Sequence, residues 1–422
     1  MNNQHPTVNW VKNRVRQARD DQQQLFDAGL NGLKLVSREG KTIELSSGER
    51  LTEFLSCSYL GLECDPRLIQ SAVSTVKSFG VQFAAARTRV LLPPMRELDE
   101  QLNQIFQGYT VTFNSVGSAH LGCLPLLGSG ELPSYPLRRG PGWIVDRAAH
   151  ASMQVLQGIL WQFGPVQRCD CNDVEQVEQA CSTAVAAGNT PIILTDSIGS
   201  MRGLYPINRL LQLAERFEGY LYADDAHGTS IHGVTGGGYA LVAAGERRRD
   251  RLILLSSLSK AFGATGGAIT VYTEADAEMI RRHASTYTFG GPLSMGGVGA
   301  AVASADIHLS PELGQLQAAL WRNVALIDNL LGPVLGNHEV ASPIRFVRVG
   351  AERDAISLAL HLRRKAIAVT TAMFPVVAKG EAILRLAVSA THNQAQLERL
   401  ANAVRGGFDE LGIRQRGRDD ER

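Results

Sequence analysis

Between residues 111 and 272 the sequence repeats one pattern: a strand-length apolar run followed by a longer stretch of helical spacing. The runs are 111–113, 143–145, 191–195, 219–223, 252–255 and 268–272. Apolar strands separated by helices predict a mostly parallel sheet covered on both faces, an α/β fold. Ligands of such sheets bind beyond the carboxyl ends of the strands. Polar residues gather at those ends: Asp146, Asp196, Asp224 with Asp225, and the Ser256-Ser257 pair.

The stretch LILLSSLSKAFGATGG, residues 252–267, bears most directly on chemistry. A buried-looking strand breaks into a turn of hydroxyls, and Lys260 follows at once. Lysines are scarce in this chain, and most of the others stand in polar or Arg-bearing surroundings. A lysine beside a buried strand and hydroxyls can lose its proton and attack a carbonyl, as Schiff-base lysines do. The alternative is a surface lysine at a strand end.

Further candidates lie at strand ends and turns. Residues 115–118, with Gly117, can present backbone N–H groups to a phosphate at a helix start, or simply cap a helix. Asp146-Arg147-Ala148-Ala149-His150 sets an imidazole just past a strand, as a structural group or as a catalyst. Ser197 and Ser200 follow the strand that ends at Asp196. Asp224-Asp225-Ala226-His227 joins carboxylate and imidazole, but no third ligand set accompanies it, so no metal site is expected. A lysine, a carboxylate, hydroxyls, imidazoles and a helix N-terminus together make up the kit for pyridoxal phosphate (PLP).

The flanks add less. Residues 8–32 read as a polar amphipathic helix, followed by short strands with a turn at Glu39-Gly40. Helices are expected over 66–78 and 92–106, and one long helical stretch from 293 to about 331. A smaller α/β region from 343 to 411 reads strand, helix 354–365, strand (AIAVTTAMF), strand (AILRLAVS), helix 393–411. The division expected is 1–55 as an N-terminal segment, 56–305 as the large domain, 306–411 as the small domain and 412–422 as a disordered tail. The charged run 245–251 reads as a solvated loop.

The formal net charge is +1, which gives no argument for nucleic acid or an anionic membrane. No run of apolar residues is long enough to span a bilayer, and residues 1–21 lack an apolar signal-peptide core. Six scattered cysteines form no disulfide framework, and Cys169-Asp170-Cys171 alone is too little for a metal. A reducing cytoplasm is the expected setting.

Six motifs carry a family resemblance. They are Tyr59-Leu60-Gly61-Leu62, DRAAHAS from Asp146, TDSIGSMRG from Thr195, DDAHGT from Asp224, SLSKAFG from Ser257, and Leu384-Arg385-Leu386. Over roughly residues 45–405 the chain resembles the α-oxoamine synthases, which include 8-amino-7-oxononanoate synthase and serine palmitoyltransferase. The resemblance implies a PLP-dependent transferase of fold type I, with a large domain around a seven-stranded-type sheet and a smaller C-terminal domain. It implies a homodimer with shared active sites. The reaction it implies joins an amino acid to an acyl thioester, on CoA or a carrier protein, with loss of carbon dioxide.

It also implies residue roles. Lys260 would carry the cofactor as a Schiff base and move the α-proton. Asp224 would face the pyridine nitrogen, His227 the ring hydroxyl and His150 the ring face. Ser200 would lie near the ring oxygen. Ser257, Val116 and Gly117 would hold the phosphate, reached by Thr288 from the other subunit. Arg385 would hold the amino-acid carboxylate.

The chain departs from the family at Cys57, where an asparagine normally helps position the amino acid, at the run 83–90 in place of a glycine-rich segment, and at Gly117 in place of an aromatic. The non-glycine run 83–90 and the D-S-I-x-S segment from Asp196 resemble the autoinducer-synthase branch and imply secondary or signalling metabolism. Arg87 and Arg89 stand either as contacts to a carboxylate or CoA phosphate or as outward-facing helix arginines. An aminotransferase or lyase on the same fold, and a PLP-fold protein without activity, are the competing readings.

Overall fold

The computed structural model describes residues 6–414 apart from Arg202, Arg247 and Pro375. Residues 415–422 of the expected disordered tail lie outside the described residues.

The chain divides into two units. Among the described residues, one is built from Leu62–Gly199 and Leu204–Gln315, the other from 8–61, 200–203 and 316–414. The N-terminal segment, too small to bury a core by itself and expected to pack on a larger body or a partner subunit, groups with the C-terminal region.

The first unit holds a seven-stranded sheet. Its order is Tyr109–Phe113, Gly267–Val271, Leu252–Ser257, Tyr220–Asp224, Thr190–Asp196, Pro141–Asp146 and Val166–Cys169. The Gly267–Val271 strand pairs antiparallel with both neighbours, and the other pairings are parallel. Alternate residues of the central strands feed two separate cores. Ile193, Leu221, Ala223, Leu252 and Leu254 fill one, and Ile192, Leu194, Tyr220, Tyr222, Ile253 and Leu255 fill the other. Strands buried on both faces read as continuous apolar runs, which is why the sequence reveals them. Truncating one of these Leu or Ile side chains to Ala is expected to cost about 2–5 kcal/mol.

The helix Pro66–Phe79 starts where Asp65 caps it, accepting from the Arg67 N–H at 2.8 Å, with Pro66 in the first turn. It lies close against Met295–His308, where Ser71 Oγ donates to the Gly299 carbonyl at 2.7 Å.

The second unit holds two small sheets. The strands Leu35–Glu39, Thr42–Leu45, Arg50–Glu53 and Ile367–Ala368 form one, and Ile344–Gly350, Ala382–Ala387 and Thr370–Ala372 form the other. Its last helix, Gln394–Leu411, opens on a capping box between Asn393 and Gln396 and ends at Gly412 in the left-handed region.

Three expectations need correction. The long helix expected after residue 292 is two helices, Met295–His308 and Glu312–Leu331. Pro311 lies in the break and disfavours helical geometry at Ser310 before it. The run AIAVTTAMF is two strands, because the chain changes sheets at Val369. Val166–Cys169 was not expected as a strand. It is an edge strand with two exposed residues, so it lacks the apolar run that marks its neighbours.

Candidate active site

Three strands that lie side by side in the first unit end in carboxylates: Asp146, Asp196 and Asp224. Asp224 pairs in register with Asp196 on one side and with Leu255 on the other. The strand carrying Leu255 runs on through Ser257 into the turn that bears Lys260.

Asp224 is buried, with defined partners. Its Oδ1 accepts from the Ala226 N–H at 3.0 Å, and its Oδ2 lies 3.2 Å from His120 Nε2. The other ring nitrogen of His120, Nδ1, lies 3.0 Å from the Tyr222 hydroxyl. Burial pushes the Asp224 carboxyl up, but the hydrogen bond and electrostatic pull of His120 and the charge of Lys260 outweigh it, and the net shift is down. Asp196 goes the other way. Burial and then the neighbouring Asp224 charge push it well above the usual range.

Asp225, fully buried, is pushed up to about 7 by burial, against the hydrogen bonds it accepts from Ser197 Oγ and the Ala240 N–H. Two residues on, His227 is buried in the turn that follows.

The helix Val116–Gly128 starts beside this strand end. Ser115 caps it, accepting from the Ser118 N–H at 3.1 Å. The N–H groups of Val116 and Gly117 are in the first turn, where no intrahelical acceptor reaches them, and the helix dipole favours an anion there. Gly267 has to be glycine, because a Cβ there would collide with the Val116 nitrogen and the Ser115 carbonyl carbon.

Ser257 Oγ lies 3.0 Å from Ser259 Oγ and accepts from the Ser259 N–H at 3.2 Å. Thr288 closes the short helix Ser285–Thr288, and its Oγ1 is buried with no hydrogen-bond partner. The following turn is tied to the strand end through Asn114 Nδ2, which donates to the carbonyls of Gly290 at 2.9 Å and Gly291 at 3.0 Å.

A first-turn N–H pair, serine hydroxyls, an orphaned threonine hydroxyl, a buried carboxylate shifted down by its neighbours and a lysine fit the phosphate, ring nitrogen and aldehyde of PLP. His150 caps the helix Ala151–Gln154 with an exposed ring. Nδ1 accepts from the Ser152 N–H at 3.3 Å, and the His150 N–H points to Asp196 at 3.4 Å. Ser200 falls in the 200–203 segment, which groups with the second unit.

In the second unit the structure joins Cys57 and Arg385. Arg385 lies inside the Ala382–Ala387 strand, 8% exposed, and its Nη2 is 3.3 Å from Cys57 Sγ. Its Nε is buried without a partner. Burial pulls the guanidinium down, but Tyr59 and Cys57 push it further up. The Cys57 turn has its own support. Glu53 Oε2 accepts from the Leu55 N–H at 2.8 Å and the Ser56 N–H at 2.9 Å, and Lys41 Nζ reaches Glu53 Oε1 at 2.9 Å.

Arg87 is not an outward-facing helix arginine. It stands in a non-helical segment, 6% exposed. Its Nη2 donates to Thr112 Oγ1 at 2.8 Å, Nη1 donates to the Thr112 carbonyl, and the guanidinium lies 4.2 Å from the centre of the Tyr287 ring. Both Nη atoms are thus used within the fold, while Nε is buried without a hydrogen-bond partner. Arg89 is exposed and also non-helical.

Sequence reasoning assigned no role to His120. The signal was an imidazole one helical turn past a phosphate-type helix start, but only the folded sheet shows that it meets Asp224.

Among the described residues no group of three His, Cys, Asp or Glu is placed to hold a metal. No helix among them is long and apolar enough to cross a membrane.

The sequence matches the family described as aminotransferase class I and II over residues 133–404. It is 30% identical to 8-amino-7-oxononanoate synthase of Herminiimonas arsenicoxydans over 87% of this chain and 95% of that protein. It is 30% identical to the same-named enzyme of Geobacter sulfurreducens over 93% of this chain and 97% of that protein. A serine palmitoyltransferase solved with a PLP internal aldimine superimposes with a TM-score of 0.84 at 19% identity, over 95% of this chain and 99% of that one.

Proposed function

Because the chain belongs to the α-oxoamine synthase family, within the aminotransferase class I and II group, we propose that it is a PLP-dependent acyltransferase. It condenses an amino acid with an acyl thioester and releases carbon dioxide and the thiol, leaving an α-aminoketone. The observation that carries this is the strand-end cluster of the first unit: a buried Asp224, hydrogen-bonded by the Ala226 N–H and His120, next to the strand that leads to Lys260, with the start of the Val116–Gly128 helix close by.

Once bound, the cofactor supplies an electron sink for a carbanion at the donor's α-carbon. Lys260 would hold the cofactor covalently, take the α-proton and later return a proton to the same carbon. Asp224 would face the ring nitrogen, where a negative charge keeps that nitrogen protonated. His227 and Ser200 would meet the ring hydroxyl, and His150 would cover the ring face. Val116, Gly117 and Ser257 would hold the phosphate, and Thr288 would serve the partner copy in a homodimer with shared sites. Arg385 takes the donor carboxylate through charge-assisted hydrogen bonds, and Cys57 shapes the space beside it. Arg87 is a clamp on the Tyr109–Phe113 strand and is left out of the substrate site. The departures at Cys57 and residues 83–90 point to a donor of secondary or signalling metabolism, handled in the cytoplasm.

The test is the visible spectrum of the purified protein, titrated with single amino acids and then with acyl-CoA thioesters. The expected result is a cofactor band that K260A abolishes, that one amino acid shifts, and that a thioester changes again with release of carbon dioxide. An amino group appearing on an added keto acid, without carbon dioxide, would overturn the synthase reading in favour of transamination.

A further inference from the structure

Asp196 and Asp224 sit opposite each other in register on adjacent parallel strands, 8% and 5% exposed. Two ionised carboxylates side by side in a poorly solvated site repel strongly, so such a pair tends to hold one proton. The geometry shows where the charge settles. Asp224 has the donors: the Ala226 N–H at 3.0 Å on Oδ1 and His120 Nε2 at 3.2 Å on Oδ2. Asp196 has the long contact from the His150 N–H at 3.4 Å. Asp146, at the end of the next strand, adds its own negative charge against ionising Asp196.

His120 is held for this task. It is 0% exposed, and its Nδ1 lies 3.0 Å from the Tyr222 hydroxyl. Tyr222 and Asp224 are two residues apart in one strand and therefore point to the same face. If the Tyr222 O–H donates to Nδ1, the neutral ring carries its proton on Nε2, aimed at Asp224. The helix Val116–Gly128 thus supplies both the anion-favouring N-terminus and the imidazole, one turn apart.

We propose that His120 is a positioning residue that assigns the negative charge of the Asp196–Asp224 pair to Asp224, leaving Asp196 as a neutral neighbour that carries the proton. The directions in which burial and neighbours move the two carboxyls agree with this assignment. The proposal rests on the reading of Asp224 as the partner of the cofactor's ring nitrogen, since it explains how a buried aspartate stays anionic there. Lys260, His120, Tyr222, Asp146, Asp196 and Asp225 are the titratable groups acting on this charge or responding to it.

The test uses infrared difference spectra of the full-length protein stripped of cofactor at neutral pH, followed by titration with PLP. In the stripped protein, D196N should remove a protonated-carboxyl band that D224N leaves in place. On titration, D224N should weaken PLP binding about tenfold or more, D196N by no more than about twofold, and H120F by about tenfold, because a charge-assisted contact is worth roughly a factor of ten. H120N, which keeps a donor, should recover most of that loss.

A band lost in D224N and kept in D196N would overturn the proposal. So would an H120F protein with the wild-type PLP affinity and band. If H120F does not fold, the two aspartate variants still decide. If no variant and no wild-type protein binds PLP, the functional reading fails, while the infrared result on the stripped protein still locates the charge.

Discussion

The Lys260 turn in the first unit and the Cys57 turn in the second are built alike but differ in how chain order assembles them. Each stands on a buried histidine held by hydrogen bonds to backbone and by an aromatic stack. Behind Lys260, His308 Nδ1 donates to the Ser304 carbonyl at 2.7 Å, Nε2 lies 2.8 Å from Ser230 Oγ, and the ring stacks on Phe262 at 4.4 Å. Behind Cys57, His392 Nε2 donates to the Glu53 carbonyl at 3.0 Å, Nδ1 accepts from the Ser389 N–H at 3.0 Å, and the ring stacks on Phe54 at 4.2 Å. The first region draws on strand ends that follow one another in sequence. The second joins residues some 330 positions apart, with Cys57 against Arg385. On the function proposed above, one is a cofactor platform and the other an anchor for a carboxylate, so the two should fail separately when mutated.

The largest expected effect in the second region follows from removing its cation. R385A should lower kcat/KM for the amino-acid donor by about a hundredfold, the scale of losing a buried charge-assisted contact. PLP affinity should be unchanged. R385K keeps the charge but loses the planar fork and should fall between the two. A drop in PLP affinity of the same size would erase the distinction drawn between the two regions.

What could be read in the sequence follows the same division. The sheet was legible because strands buried on both faces leave apolar runs, and the ends of those runs mark where ligands bind. Lys260, Asp224 and the Ser115 cap were found that way. The pairing of Cys57 with Arg385 was not derivable from spacing, since neither lies at the end of such a run. Family resemblance singled out both residues, and the structure adds the 3.3 Å contact. The burial of Arg87 was not legible, because an arginine in a polar-looking run gives no sign that Thr112 and Tyr287 will enclose it. His120 was passed over because its partner, Asp224, lies 104 positions later.

A smaller effect is expected from C57N, which restores the asparagine of the family pattern. An amide oxygen accepts from Arg385 more strongly than a sulfur does and competes with a bound carboxylate for the same guanidinium. KM values for glycine, alanine and serine should change by about threefold to tenfold, and not in parallel, since one hydrogen bond is worth roughly 1 kcal/mol. Steady-state kinetics with the three donors checks this. A C57N enzyme that ranks them as the wild type does would remove Cys57 from donor selection.

The last expectation concerns pH and treats both regions at once. Burial, the largest cause in each case, lowers both His308 and His392 to about 4. The unfolded chain takes up these protons near pH 6.5 and the folded chain near 4. Each histidine therefore contributes its full stability above about pH 6.5, and loses it as pH falls towards 4, by up to about 3 kcal/mol apiece. Asp225, raised to about 7, has the opposite sign: its folded form gains stability as pH falls through the same range. The total slope mixes these signs, so the comparison has to be made between variants. Thermal melts from pH 7 to 4 should show a shallower acid loss in H308Q and in H392Q than in the wild type, whatever each substitution costs at neutral pH. If the two histidines stand behind their turns independently, the double variant should flatten the profile by the sum of the two changes, since distant sites add. Profiles that run parallel to the wild type would mean that neither ring is held neutral, and the likeness between the two regions would then be one of shape alone.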